Sequence, residues 1–122
     1  MASPTLPEPI AAYFAADPQG PDSVAQCFTP KAVVKDDGHT YIGRDAIRAW
    51  KEAADAKYTC TTDPFSSELV DGVHQVQAHV AGNFRGSPID LKFFFRLERG
   101  LIANLEICLL YTSDAADEGL GV

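Results

Sequence analysis

A carboxylate and an imidazole stand three residues apart in the stretch AVVKDDGHTYIG, residues 32–43. An acid beside an imidazole is a device for moving protons. Between Asp36 and His39 lies Asp37-Gly38, a strong two-residue hairpin signal, because a type I′ turn needs positive φ at both central positions. The turn dictates register: Asp36 opposite His39, Lys35 opposite Thr40, Val34 opposite Tyr41. Side chains alternate along a strand, so Val34, Asp36, His39 and Tyr41 share one face. Directly opposed residues have Cβ atoms about 4.5–5.5 Å apart. If that face turns inward, Asp36 is a general base in an apolar setting, and His39 orients it or takes a second proton. Tyr13 and Tyr41 are candidate donors to a developing oxyanion. The competing reading is structural. Asp-Asp-Gly is also good turn chemistry, and a Tyr on an apolar face is often core with its hydroxyl at the rim.

The other reactive types offer less. Trp50, Phe84, Phe93 and Phe95 suit a core or the wall of a pocket for a hydrophobic ligand. His74 and His79 fall on opposite faces of one strand with no third ligand near either, so no metal site is expected. Cys27, Cys60 and Cys108 have neither metal-ligand spacing nor a disulfide framework. A net charge of −7 with no run of Lys or Arg argues against nucleic acid. No apolar stretch approaches the roughly 18–20 residues of a membrane span. The opening, MASPTLPEPI, lacks a basic n-region and an apolar core, so no signal peptide is expected. A cytoplasmic location is the expectation.

These residues need elements to position them. Ile10, Tyr13 and Phe14 make one face of a first helix over 7–16, closed by Asp17-Pro-Gln-Gly-Pro21. Asp22 or Ser23 caps a short second helix with Val24, Cys27 and Phe28 inside, ended by Thr29-Pro30. A third helix runs over 44–57 with Ile47, Trp50 and Ala54 inward. Its opposite side, Arg48, Lys51, Glu52 and Asp55, reads as a solvated face. From Tyr58 on, the period changes to two. A strand interrupted at Asp63-Pro64 suggests an edge or a bulge. Three longer strands follow, separated by turns. The last has Leu101, Ala103, Leu105 and Ile107 inward, and Gln75, Gln77, Phe94, Ile102 and Asn104 fall on the outer sheet face. The class is α+β.

One block carries a resemblance. Phe28-Thr-Pro-Lys-Ala-Val-Val-Lys-Asp36, then Gly43-Arg-Asp-Ala-Ile-Arg-Ala-Trp50, resembles the nuclear-transport-factor-2-like superfamily. Within it the chain is similar to small SnoaL-like, ketosteroid-isomerase-related bacterial proteins, over roughly residues 6–107. The resemblance implies a cone-shaped curved antiparallel sheet wrapped around three N-terminal helices. It puts Asp36 where such isomerases keep their proton-shuttling carboxylate and Tyr13 near their oxyanion tyrosine. Phe93 falls where they keep a second, acidic donor, which speaks against steroid isomerisation. The expected function is a cofactor-free isomerase, cyclase or dehydratase acting on a small hydrophobic molecule. The alternative is a non-catalytic ligand-binding or dimerisation domain of the same fold. A homodimer is expected by analogy.

Residues 108–118, CLLYTSDAADE, resemble a translated sequencing-library adaptor. The expectation is a single domain over 1–107 followed by a non-native tail over 108–122.

Overall fold

Asp37 and Gly38 take φ of 53° and 77°, the left-handed pair that a type I′ turn demands. This computed structural model describes residues 6–109. In it, β1 (Phe28–Asp36) and β2 (His39–Ile42) pair in the expected register: Asp36 with His39, Lys35 with Thr40, Val34 with Tyr41. The same local chemistry joins β3 (Cys60–Val70) to β4 (Val73–Gly82) through Asp71-Gly72, and β5 (Ile89–Glu98) to β6 (Leu101–Leu109) through Arg99-Gly100.

Three helices cover one side of the sheet. α1 is Glu8–Ala16, α2 is Pro21–Ala25 and α3 is Arg44–Lys57. α1 buries Ile10, Tyr13 and Ala16. A 3-10 turn, Asp17–Gln19, links it to α2. The cap of α2 is Gly20, not Asp22 or Ser23, because Pro21 opens the helix and a proline's fixed φ suits that first turn. α2 also ends sooner than expected. Thr29 and Pro30 belong to β1, where pairing with β6 is irregular between Phe28 and Val33, and a residue without an N–H is tolerated.

The strands form one curved open sheet in the order β2-β1-β6-β5-β4-β3. Neighbours are antiparallel except β1 and β6, which run parallel. β3 is the edge anticipated from Pro64, with a bulge between Pro64 and Ser66. At the far end of that pair Gly82 is required. A Cβ there would lie 2.2 Å from the Thr59 carbonyl oxygen.

A second bulge, opposite Arg96 and Leu97, changes the parity of β6. Ile102 therefore faces the core and is fully buried, whereas strict alternation from Leu105 put it outside. An extra residue in one strand reverses the faces beyond it. The core joins helices to sheet through Ile10, Phe28, Ile47, Phe95, Ile102 and Leu105. Each such side chain contributes about 1.5–3 kcal/mol through burial. No helix among the described residues is long and apolar enough to cross a membrane. Of the adaptor-like string, Cys108 and Leu109 are the last residues of β6; the rest lies outside the described residues.

Candidate functional site

Asp36 ends β1, and α3 lies across that strand. Two bonds fix the crossing: Gly43 N–H donates to the Ala32 carbonyl at 2.8 Å, and Arg44 Nε donates to the Phe28 carbonyl at 2.9 Å. Two turns along α3, the Trp50 indole Nε1–H donates to Asp36 Oδ2 at 3.0 Å. One carboxylate oxygen is thereby held by a neutral donor. Both residues line a cavity of about 170 Å³ between α1, α3 and the sheet.

Tyr13 reaches the same cavity from α1. Its ring is clamped edge-on by Phe14 at 5.1 Å, Phe95 at 5.6 Å and Phe28 at 5.9 Å. The residue is 5% exposed. Among the described residues no hydrogen-bond partner meets its hydroxyl, although buried hydroxyls are normally bonded. Burial, then the negative charges of Asp17 and Asp36, push its pKa well above the ordinary 10.0. Tyr13 is therefore a neutral donor at any physiological pH.

Lys51 corrects the expectation of a solvated helix face. It is buried at 8% exposure, with Nζ 2.5 Å from Asp17 Oδ1 and 2.6 Å from Asp55 Oδ1. Burial works to lower the ammonium pKa, and the bonds and charges of Asp17 and Asp55 outweigh it and raise it. All three side chains line the cavity with Tyr58, Cys60 and Thr62. The i,i+4 spacing of Lys51 and Asp55 was visible in the sequence. Asp17 was not, because only the turn after α1 carries it over α3. Burial, with the charges of Asp17 and Asp55, raises the pKa of the Cys60 thiol.

The expected Asp36–His39 pair is not made. The backbone register is right, but His39 is exposed and its Nδ1–H donates to the Asp37 carbonyl at 2.9 Å. The turn offers the ring a nearer acceptor than the Asp36 carboxylate. His39 and Tyr41 line an outer groove of about 520 Å³, which shares Asp36, Trp50, Ala54 and Tyr58 with the cavity. Tyr41 packs 6.1 Å from the Trp50 ring.

The aromatic residues divide in the same way. Phe93 lines the cavity. Phe84 lies in an adjoining concavity of about 280 Å³, which shares Tyr58, Cys60 and Val80 with it. Phe95 does not line the cavity; it is fully buried in the core, stacked 6.1 Å from Phe93. On the other face of the sheet His79 meets Asp90 at 2.5 Å and stacks on Phe65. Among the described residues no three His, Cys, Asp or Glu side chains group to hold a metal.

This cavity sits under a helix-covered curved sheet, and the matching family model spans residues 10–105. The chain belongs to the SnoaL-like domain family. Among solved structures, a proposed polyketide cyclase from Sinorhizobium meliloti is 36% identical, with 84% of this chain and 95% of that chain covered and a TM-score of 0.80. A protein with a ketosteroid-isomerase-like fold from Catenulispora acidiphila, solved with trimethylamine, is 21% identical, with 89% and 88% covered and a TM-score of 0.76. A nuclear-transport-factor-2-like protein from Exiguobacterium is 14% identical, with 85% and 99% covered and a TM-score of 0.75. These last two share the fold. No curated protein matches the chain. The SnoaL-like chain thus has the nuclear-transport-factor-2-like fold that its sequence resembles.

Proposed function

We propose that this SnoaL-like protein moves a proton beside a carbonyl or alcohol of a small molecule held in the 170 Å³ cavity. One observation carries the reading. A carboxylate fixed by an indole and a buried hydroxyl without a described partner line the same small space. Asp36 is the base. Trp50 holds Oδ2, which leaves Oδ1 to take a proton from the carbon next to the carbonyl. Tyr13 donates to the carbonyl oxygen as negative charge develops there. The proton then returns at another carbon in an isomerisation. In a cyclisation the carbanion attacks a second carbonyl, whose oxygen takes the proton back from Asp36, and in a dehydration the β-hydroxyl leaves as water with that proton.

The test is deuterium exchange at the α-carbon of small cyclic ketones in D₂O, followed by NMR. Exchange above the buffer rate that falls at least about a hundredfold in Asp36→Asn supports the reading. Equal exchange in the two proteins sinks it. Binding without turnover has one feature in its favour: Leu91, Phe93 and Ile107 make one wall hydrocarbon and supply no second donor for an oxyanion. Ligand binding with no exchange would select that reading.

A further inference from the structure

Three carboxylates face the cavity, and one cation faces them. Among the described residues Asp17, Asp36 and Asp55 line it, and Lys51 is the one basic residue in that wall. Lys51 is already divided between Asp17 and Asp55. Asp36 has a neutral indole, not a cation, as its hydrogen-bond partner. The remaining wall includes the rings of Tyr13, Trp50, Tyr58 and Phe93. Ring faces and excess negative charge attract a cation and repel an anion, and they do so more strongly out of water. A second, independent feature marks the place as a ligand site. Tyr13 is nineteen-twentieths buried and lines this cavity, and its hydroxyl meets no described partner.

We infer that the ligand of this cavity is a small organic cation, an amine or quaternary ammonium, with a polar group that bonds Tyr13. The inference rests on the cavity being the small-molecule site and narrows what that site takes. The cationic centre lies against the aromatic rings in the negative field of Asp17, Asp36 and Asp55, and the polar group meets the hydroxyl. A carboxylate or phosphate of the same size is excluded by Asp17, Asp36 and Asp55 together.

Three probes of nearly equal shape isolate the charge: choline, 3,3-dimethylbutan-1-ol and 3,3-dimethylbutanoate. Each is titrated into the full chain while the indole N–H resonance is followed. Trp50 is the single tryptophan, so that signal identifies itself and reports from the cavity wall. Choline should bind on the order of tenfold more tightly than the alcohol, and added salt should weaken it. The carboxylate should leave the signal unmoved. An alcohol that binds as tightly as choline, or a carboxylate that binds better, overturns the charge inference and leaves the pocket standing. A signal unmoved by all three overturns both.

Discussion

Replacing Tyr13 with Phe should make the protein more stable and less active. The side chain is 5% exposed, and its hydroxyl has no described hydrogen-bond partner. Taking a hydroxyl out of water without a partner costs about 1–3 kcal/mol. Phe keeps the ring contacts with Phe14, Phe28 and Phe95 and removes only the polar atom. The adjoining cavity is large enough for water, which meets part of the hydroxyl's demand. The expected gain is therefore at the low end, about 1 kcal/mol. For a domain of this size that is a rise of roughly 4 °C in Tm. Urea unfolding followed by Trp50 fluorescence measures it, with a higher midpoint at unchanged slope. The same variant should lose α-carbon exchange on the order of a hundredfold, the usual effect of removing one oxyanion donor. A loss of about 1 kcal/mol or more in stability would refute the argument, since it would mean that the hydroxyl is well bonded. A stable variant with full exchange would remove Tyr13 from the chemistry.

Trp50→Phe keeps a ring at the cavity wall but frees Asp36 Oδ2; exchange should slow on the order of tenfold, and steady-state kinetics should place the loss in kcat. Lys51→Met leaves Asp17 and Asp55 facing one another without a cation. Fully buried pairs cost about 3–5 kcal/mol to break, and the 42% exposure of the Asp55 side chain reduces the expected loss to about 2 kcal/mol in urea unfolding. Folding raises the pKa of both Tyr13 and Lys51, so the unfolded chain releases these protons first as pH rises. Stability from these groups is then complete below about pH 10 and declines above it. A urea midpoint that climbs between about pH 10 and 11 would contradict that sign.

The hairpin was legible because its cause is local. Asp37-Gly38 relieves a positive-φ constraint within two residues, and register follows from the turn alone. The Asp63-Pro64 interruption was legible for the same reason, since a missing N–H is confined to an edge, a strand start or a bulge. Ile102 was not. A bulge opposite Arg96 and Leu97 adds one residue to the count, and alternation carries no sign of where that happens. His39 shows the limit of register itself. Backbone pairing placed it opposite Asp36, but a free χ angle and a nearer carbonyl decided where the ring went.

The sequence by itself determined the α+β class, the SnoaL-like resemblance and the placing of Asp36 at a strand end. Those features rest on periodicity, turn chemistry and a motif, all read within a few residues. Tertiary structure decided what surrounds Asp36. Trp50 reaches it because α3 crosses β1. Lys51 is buried because the turn after α1 lays Asp17 over α3. Tyr13 shares the cavity because α1 packs against Phe93 and Phe95. The parallel contact of β1 with β6 joins segments some seventy residues apart, with no turn to announce it. Helix periodicity tells which residues share a face, but a charged residue on that face stays in water or goes inside according to whether another segment brings it a partner.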